Sequence, residues 1–273
     1  VKANGARRWL GVGGLTVQPS ELAKLAVIIS FAALICRMRG RMRTFRYGIL
    51  PFGAILLVIV GLLVLEPHFS ASIIIIAVGG VMLFLGGVKL GWFAAAFGAV
   101  GAAIAVLLTF FPYASSRINT WRDPFSSSSD EGYQIVQSLY SIGSGGLSGL
   151  GLGGSRQKFL YLPEEHNDFI FSVVCEEMGF IGAALILVLF ALLVLRGYWI
   201  ALHLPERFSF LVCAGITTLL AIQVFLNVAV VTNLIPCTGI SLPFFSYGGT
   251  ALLIELFEMG IILGASRDAV TGC

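Results

Sequence analysis

Five polar residues in a row, Glu164, Glu165, His166, Asn167 and Asp168, stand directly before an apolar run that opens at Phe169. Such a cluster is equipped to move protons, since a carboxylate within hydrogen-bond reach of a hydroxyl can take its proton as a general base. The plainer alternative is capping: Asn167 or Asp168 suits a helix N-cap, and acids in a first turn complement the helix dipole. Capping needs one such residue, whereas here acids and an amide converge beside a histidine. Just upstream, "GSGGLSGLGLGGSRQKF" is dense in glycine and ends on Arg156 and Lys158. It lacks the preceding strand and following helix of a dinucleotide loop. Two readings remain, a flexible linker or a backbone loop whose amides approach an anionic lipid headgroup.

The elements that must position these groups are set by a bulk property. Of the 273 residues, 58% are hydrophobic and only 11% charged, with mean hydropathy +0.95. Soluble domains sit nearer 45–50% apolar and about 25% charged, so this chain cannot build a soluble surface. The net charge of +3 is small and dispersed, so it argues neither for nucleic acid nor for an acidic polymer as a partner, and no nucleic acid is expected. Five cysteines are scattered singly without metal or disulfide spacing, and four lie in or beside apolar runs as small hydrophobes.

A spanning helix needs about 20 apolar residues. That ruler marks seven segments, 22–36, 48–65, 69–88, 90–111, 169–195, 208–235 and 247–265. The expectation is an all-α, polytopic membrane helical bundle, one domain over 1–273 with a single large hydrophilic loop at 112–167. Basic residues set orientation. Nine fall on one side (Arg37, Arg39, Arg41, Arg43, Arg46, Lys89, Arg196, Arg207, Arg267) and eight on the other. The five arginines between Arg37 and Arg46 therefore decide, placing the 112–167 loop outside. Within it, "DEGYQIVQSLYSIGSG" (130–145) has Tyr133, Val136, Leu139, Tyr140 and Ile142 at helical spacing, an amphipathic helix lying on the membrane.

Ionisable groups inside spans are expensive and usually functional. Glu21 and Lys24 share a helix face, where a self-neutralising pair is the plain reading. Glu176 and Glu177 lie two turns into the fifth segment, and Glu255 and Glu258 sit in the last one without a basic partner there. Gln223, Asn227 and Asn233 belong to the sixth, where interhelical hydrogen bonding suffices to explain them. Together they predict a polar interior seam.

Four blocks resemble the SEDS family (shape, elongation, division and sporulation), whose members include FtsW and RodA. They are "NGARRWLGVGGLTVQPSELAKLA", "GSGGLSGLGLGGSRQKFLYLPE", "LPEEHNDFIFSVVCEEMGFIG" and "IPCTGISLPFFSYGGTALL", running from Asn4 to Leu253 in the family's order. The last block is more similar to FtsW and its sporulation relative than to RodA. The resemblance implies about ten helices in a whole member, so that about three would precede Val1, and it puts the large loop outside.

It also implies a peptidoglycan glycosyltransferase of the plasma membrane, acting on its extracytoplasmic face in division or sporulation. Its substrates would be lipid II and the growing glycan strand. A class B penicillin-binding protein and other divisome proteins are the implied partners. By motif, Asp168 aligns with the family's essential aspartate, the expected base, and Trp9 with a functionally sensitive tryptophan. Arg7, Arg8, Lys24, Arg156 and Lys158 are candidate diphosphate contacts. His166, Ser246, Tyr247 and Gly248 complete the expected substrate-binding set. A divalent cation, Mg2+ or Mn2+, would suit the departing diphosphate, at a site the sequence does not assign. One departure is "EPHFSAS", with His68 where many relatives carry an acid. A lipid II flippase and a non-catalytic divisome scaffold are the competing readings.

Overall fold

The computed structural model describes residues 10–12, 15–66, 69–96, 98, 119–126, 130–155 and 167–271. Arg7, Arg8, Trp9, His68, Arg156, Lys158, Glu164, Glu165 and His166, and most of the 90–111 segment, lie outside them. The chain divides into two compact units, one of 1–93, 192–222 and 248–273, the other of 94–191 and 223–247.

Among the described residues, five helices are long and apolar enough to cross a membrane: Pro19–Arg37, Phe45–Leu65, Ile170–Leu202, Arg207–Val231 and Gly249–Ala269. Phe69–Gly86 is an apolar helix of 18 residues, about 27 Å long and just short of a typical span. Six of the seven expected segments are therefore helical, and the described residues do not establish seven spans. The polarity is that of a membrane bundle. Large apolar side chains such as Leu57, Leu65, Leu195 and Leu253 face outward, while Glu21, Lys24, Glu176, Gln223, Asn227, Glu255 and Glu258 are buried.

In the first unit the chain opens on an antiparallel hairpin, β1 (Leu10–Val12) paired with β2 (Leu15–Val17), with Leu10 opposite Val17. These two three-residue strands are a minor addition to the expected all-α bundle. Helix α1 (Pro19–Arg37) begins with proline in its first turn beside Glu21 and closes on Arg37, matching both dipole ends. A short helix α2 (Phe45–Gly48) precedes α3 (Leu50–Leu65), and α4 (Phe69–Gly86) follows. Phe31 of α1 meets Phe52 of α3 edge-on at 4.9 Å, in a core with Ile28, Ile35 and Met82. The expected pairing of Glu21 with Lys24 is present, buried, at 2.6 Å. Glu258 of the last helix lies in electrostatic reach of Lys24, Glu21 and Glu255.

In the second unit, α5 (Asp130–Gly145) matches the expected amphipathic helix. Its outer face carries Tyr133 and Tyr140, while the buried stripe is Gly132, Ile135, Ser138, Ser141 and Gly145. Apolar spacing alone did not point to this serine-lined contact. Ser138 Oγ bonds Ser172 Oγ at 2.6 Å and donates to the Val231 carbonyl at 2.8 Å.

Helix α6 (Ile170–Leu202) is longer than expected and is broken at Gly179 (φ 66°, ψ −170°). Phe180–Leu202, beyond the break, is long enough by itself for about 30 Å of hydrocarbon. The glycine-dense stretch fills the break. Leu150 and Gly151 amides donate to the Glu176 and Glu177 carbonyls, both at 3.0 Å. Phe180 and Ile181 amides donate to the Gly146 and Leu147 carbonyls at 2.9 and 3.2 Å. Gly149 (φ 79°) is required there because a Cβ would run into the Glu177 carbonyl. The loop therefore serves as backbone mortar for a broken helix, a use that neither sequence reading described, and at least two of its amides are committed to it.

Candidate active site

Asp168 occupies the turn Asn167–Phe169, directly ahead of α6, whose first helical residue is Ile170. Phe169 is buried and its carbonyl accepts the Ser172 amide at 3.0 Å, which anchors the turn on the helix. Asp168 itself is half-buried.

The main chain around it is fixed from two directions. From α7 (Arg207–Val231), Asn227 Nδ2 donates to the Asp168 carbonyl at 2.8 Å and to the Ile240 carbonyl at 2.6 Å. From the segment after α7, Ser246 Oγ donates to the Asn167 carbonyl at 2.7 Å while accepting the Leu242 amide at 2.7 Å. Two successive carbonyls are thus gripped, that of Asn167 by the C-terminal block and that of Asp168 by α7. Gly239, at φ 62°, presents bare backbone to the carboxylate: a Cβ there would stand 3.1 Å from Asp168 Oδ2. Phe244 and Phe245 lie beside Phe190, at 6.5 and 6.0 Å between ring centroids, which steadies the segment that carries Ser246.

Among the expected site residues, the structure brings Asp168 and Ser246 together through Asn167. Tyr247 is 86% exposed, and Gly248 adjoins the last helix, α8 (Gly249–Thr271). Lys24 belongs to the other unit and is matched there by Glu21. Sequence reasoning did not single out Asn227 and Gly239 as supports of Asp168. The available signal was a buried amide near the end of a span, followed by a glycine within an irregular, proline-bearing stretch. Among the described residues no group of three or more His, Cys, Asp or Glu side chains could hold a metal ion. Chemically, the arrangement holds one carboxylate at a fixed place against bare backbone, which is what a general base needs.

The family model described as a cell cycle protein, covering FtsW, RodA and SpoVE, matches residues 1–270. Stage V sporulation protein E of Bacillus subtilis is 42% identical over 265 residues, 97% of this chain and 72% of the relative. The "Probable peptidoglycan glycosyltransferase FtsW" of Trichlorobacter lovleyi is 40% identical over 265 residues, 97% of this chain and 70% of that one. Among solved structures, a chain of a peptidoglycan synthase complex that coordinates polymerization and crosslinking aligns with TM-score 0.80 and 32% identity. The match covers 98% of this chain and 75% of that chain. The rod shape determining protein RodA of Thermus thermophilus aligns with TM-score 0.68 and 30% identity, over 98% and 72% of the two chains. With polar groups turned inward and the family model matched over nearly its whole length, this multi-pass membrane chain belongs to the FtsW/RodA/SpoVE family.

Proposed function

We propose that this chain is a peptidoglycan glycosyltransferase that polymerises lipid II, with Asp168 as general base on the extracytoplasmic face. Relatives at about 40% identity carry that activity in their names, and the division or sporulation role fits the FtsW and stage V names among them. The observation that carries the catalytic assignment is the double grip on Asn167 and Asp168 by Ser246 and Asn227. A reacting carboxylate must be held in a narrow range of positions, and this bracing acts through the main chain on which the carboxylate is mounted.

In this mechanism a sugar 4-hydroxyl attacks the anomeric carbon at the lipid-linked end of the growing strand. The new glycosidic C–O bond forms as the C–O bond to undecaprenyl pyrophosphate breaks, with inversion. Asp168 takes the hydroxyl proton and the diphosphate leaves with the electron pair. Arg7, Arg8, Arg156 and Lys158 are the cations assigned to that diphosphate, and Trp9, His166, Tyr247 and Gly248 to the sugars. Lys24 is assigned with them, on the condition that Glu21 releases it, because the two pair at 2.6 Å. A divalent cation is assigned to the departing diphosphate, whose developing charge it would help to neutralise. The partner assigned is a class B penicillin-binding protein, with other divisome proteins, by analogy with the synthase complex.

Full-length protein reconstituted with its penicillin-binding partner tests the reading. Purified lipid II should be converted to glycan polymer, and Asp168→Asn should abolish this while leaving the protein folded. The buried charges Glu21, Lys24, Glu255 and Glu258 favour the flippase as a second reading. Lipid II transport in vesicles that is indifferent to Asp168→Asn, with no polymer formed, would decide for it.

A further inference from the structure

Among the buried acids that the mechanism above leaves unused, Glu176 is the one on the helix led by Asp168. Glu176 is 1% exposed, two turns along the helix that starts just after Asp168. Its Oε2 accepts hydrogen bonds from Ser141 Oγ at 3.0 Å and from Ser155 Oγ at 2.6 Å. Both hydroxyls are themselves buried. Ser141 lies in α5, immediately before the glycine-dense stretch, and Ser155 closes that stretch, with Arg156 next in sequence. The neighbouring Glu177 carboxylate accepts the Ser155 amide at 3.4 Å. A single carboxylate oxygen therefore ties together both ends of the loop that fills the helix break.

A buried carboxylate is expensive to keep, so every hydrogen bond it accepts matters to its place. If the loop needed only to be closed, the four backbone bonds across the break would suffice. What the carboxylate adds is a fixed register between the end of the loop and the helix led by Asp168. At the other end of residues 156–166, Asn167 and Asp168 are gripped by Ser246 and Asn227. The two flanks of this cationic, acid-rich stretch are thus referred to the same helix.

We propose that Glu176 is a positioning residue for the glycosyl transfer. Through Ser155 it sets the loop end in register with Asp168, and so governs productive binding of the diphosphate-bearing substrate rather than the proton transfer. This rests on the glycosyltransferase reading above.

The test uses the full-length protein with its penicillin-binding partner, purified lipid II as probe, and three variants. Glu176→Leu and Ser155→Ala should each raise KM for lipid II about tenfold, since a hydrogen bond to a charged acceptor is lost, with kcat within about twofold. The double variant should be no worse than Glu176→Leu alone, because both changes remove one shared contact. Glu176→Gln, which keeps an acceptor oxygen, should restore most of the wild-type KM. Ser155→Ala removes one hydroxyl and decides the matter should Glu176→Leu not fold. An unchanged KM in folded Ser155→Ala, or a Glu176→Gln variant as impaired as Glu176→Leu, overturns the proposal. Asp168→Asn in the same assay separates the two claims. Polymer from that variant sinks the catalytic reading, while an inactive Asp168→Asn beside an unaltered Ser155→Ala sinks only the role of Glu176.

Discussion

Asn227 holds Asp168 by its main chain: Nδ2 donates to the Asp168 carbonyl at 2.8 Å and to that of Ile240 at 2.6 Å. Asn227 is completely buried, and its Oδ1 has no hydrogen-bond partner, so the amide is committed to this one bridge. Replacing it with leucine orphans two carbonyls of otherwise fixed loops, at roughly 1–3 kcal/mol for each buried unsatisfied group. Asn227→Leu is expected to lower kcat for glycan polymerisation at least tenfold and to lower the thermal midpoint. Steady-state kinetics beside a melting curve checks both, and normal kcat in the variant would remove the bridge from catalysis.

Gly239 offers a sharper probe of the carboxylate. Its φ of 62° costs a non-glycine residue about 1–2 kcal/mol, and the added methyl would stand 3.1 Å from Asp168 Oδ2. Gly239→Ala should therefore displace the carboxylate and reduce kcat by roughly tenfold while the protein stays folded. Gly53→Ala, in helical backbone with open space around the new methyl, is the control and should leave kcat unchanged.

The helix break depends on Gly179. Its φ of 66° and the closeness of the Gly149 amide and Leu147 carbonyl leave no room for a side chain. Gly179→Ala should detach the glycine loop from α6, which limited proteolysis would detect as faster cleavage between 145 and 155. Cleavage at the wild-type rate would show that the break survives without glycine.

Lys24 and Glu21 can be separated from the chemistry by a double substitution. Lys24→Met strands Glu21 in a buried site near Glu255 and Glu258, a change expected to destabilise by about 3–5 kcal/mol. Glu21→Gln combined with Lys24→Met should recover much of that stability. If polymerisation recovers as well, Lys24 is structural; if the protein refolds but stays inactive, its ammonium contacts substrate.

Composition and spacing determined much of this protein. A charge content too low for a soluble surface dictated a membrane bundle, and stretches of about 20 apolar residues located six helices, though α6 and α8 run six or seven residues beyond their expected ends. These are local properties, readable because lipid forces each span to satisfy its own backbone. The amphipathic helix at 130–145 was legible for the same reason, through the 3.6-residue period. What holds Asp168 was not legible. Its turn is gripped by Asn227, 59 residues away, and by Ser246, which bonds the carbonyl of Asn167 79 residues back. The serine-lined contact of α5, the Gly179 break and the burial of Glu176 likewise depend on which backbone carbonyls and carboxylates arrive opposite one another. No periodicity records that meeting, because a hydrogen bond between distant segments is specified only once the helices have packed.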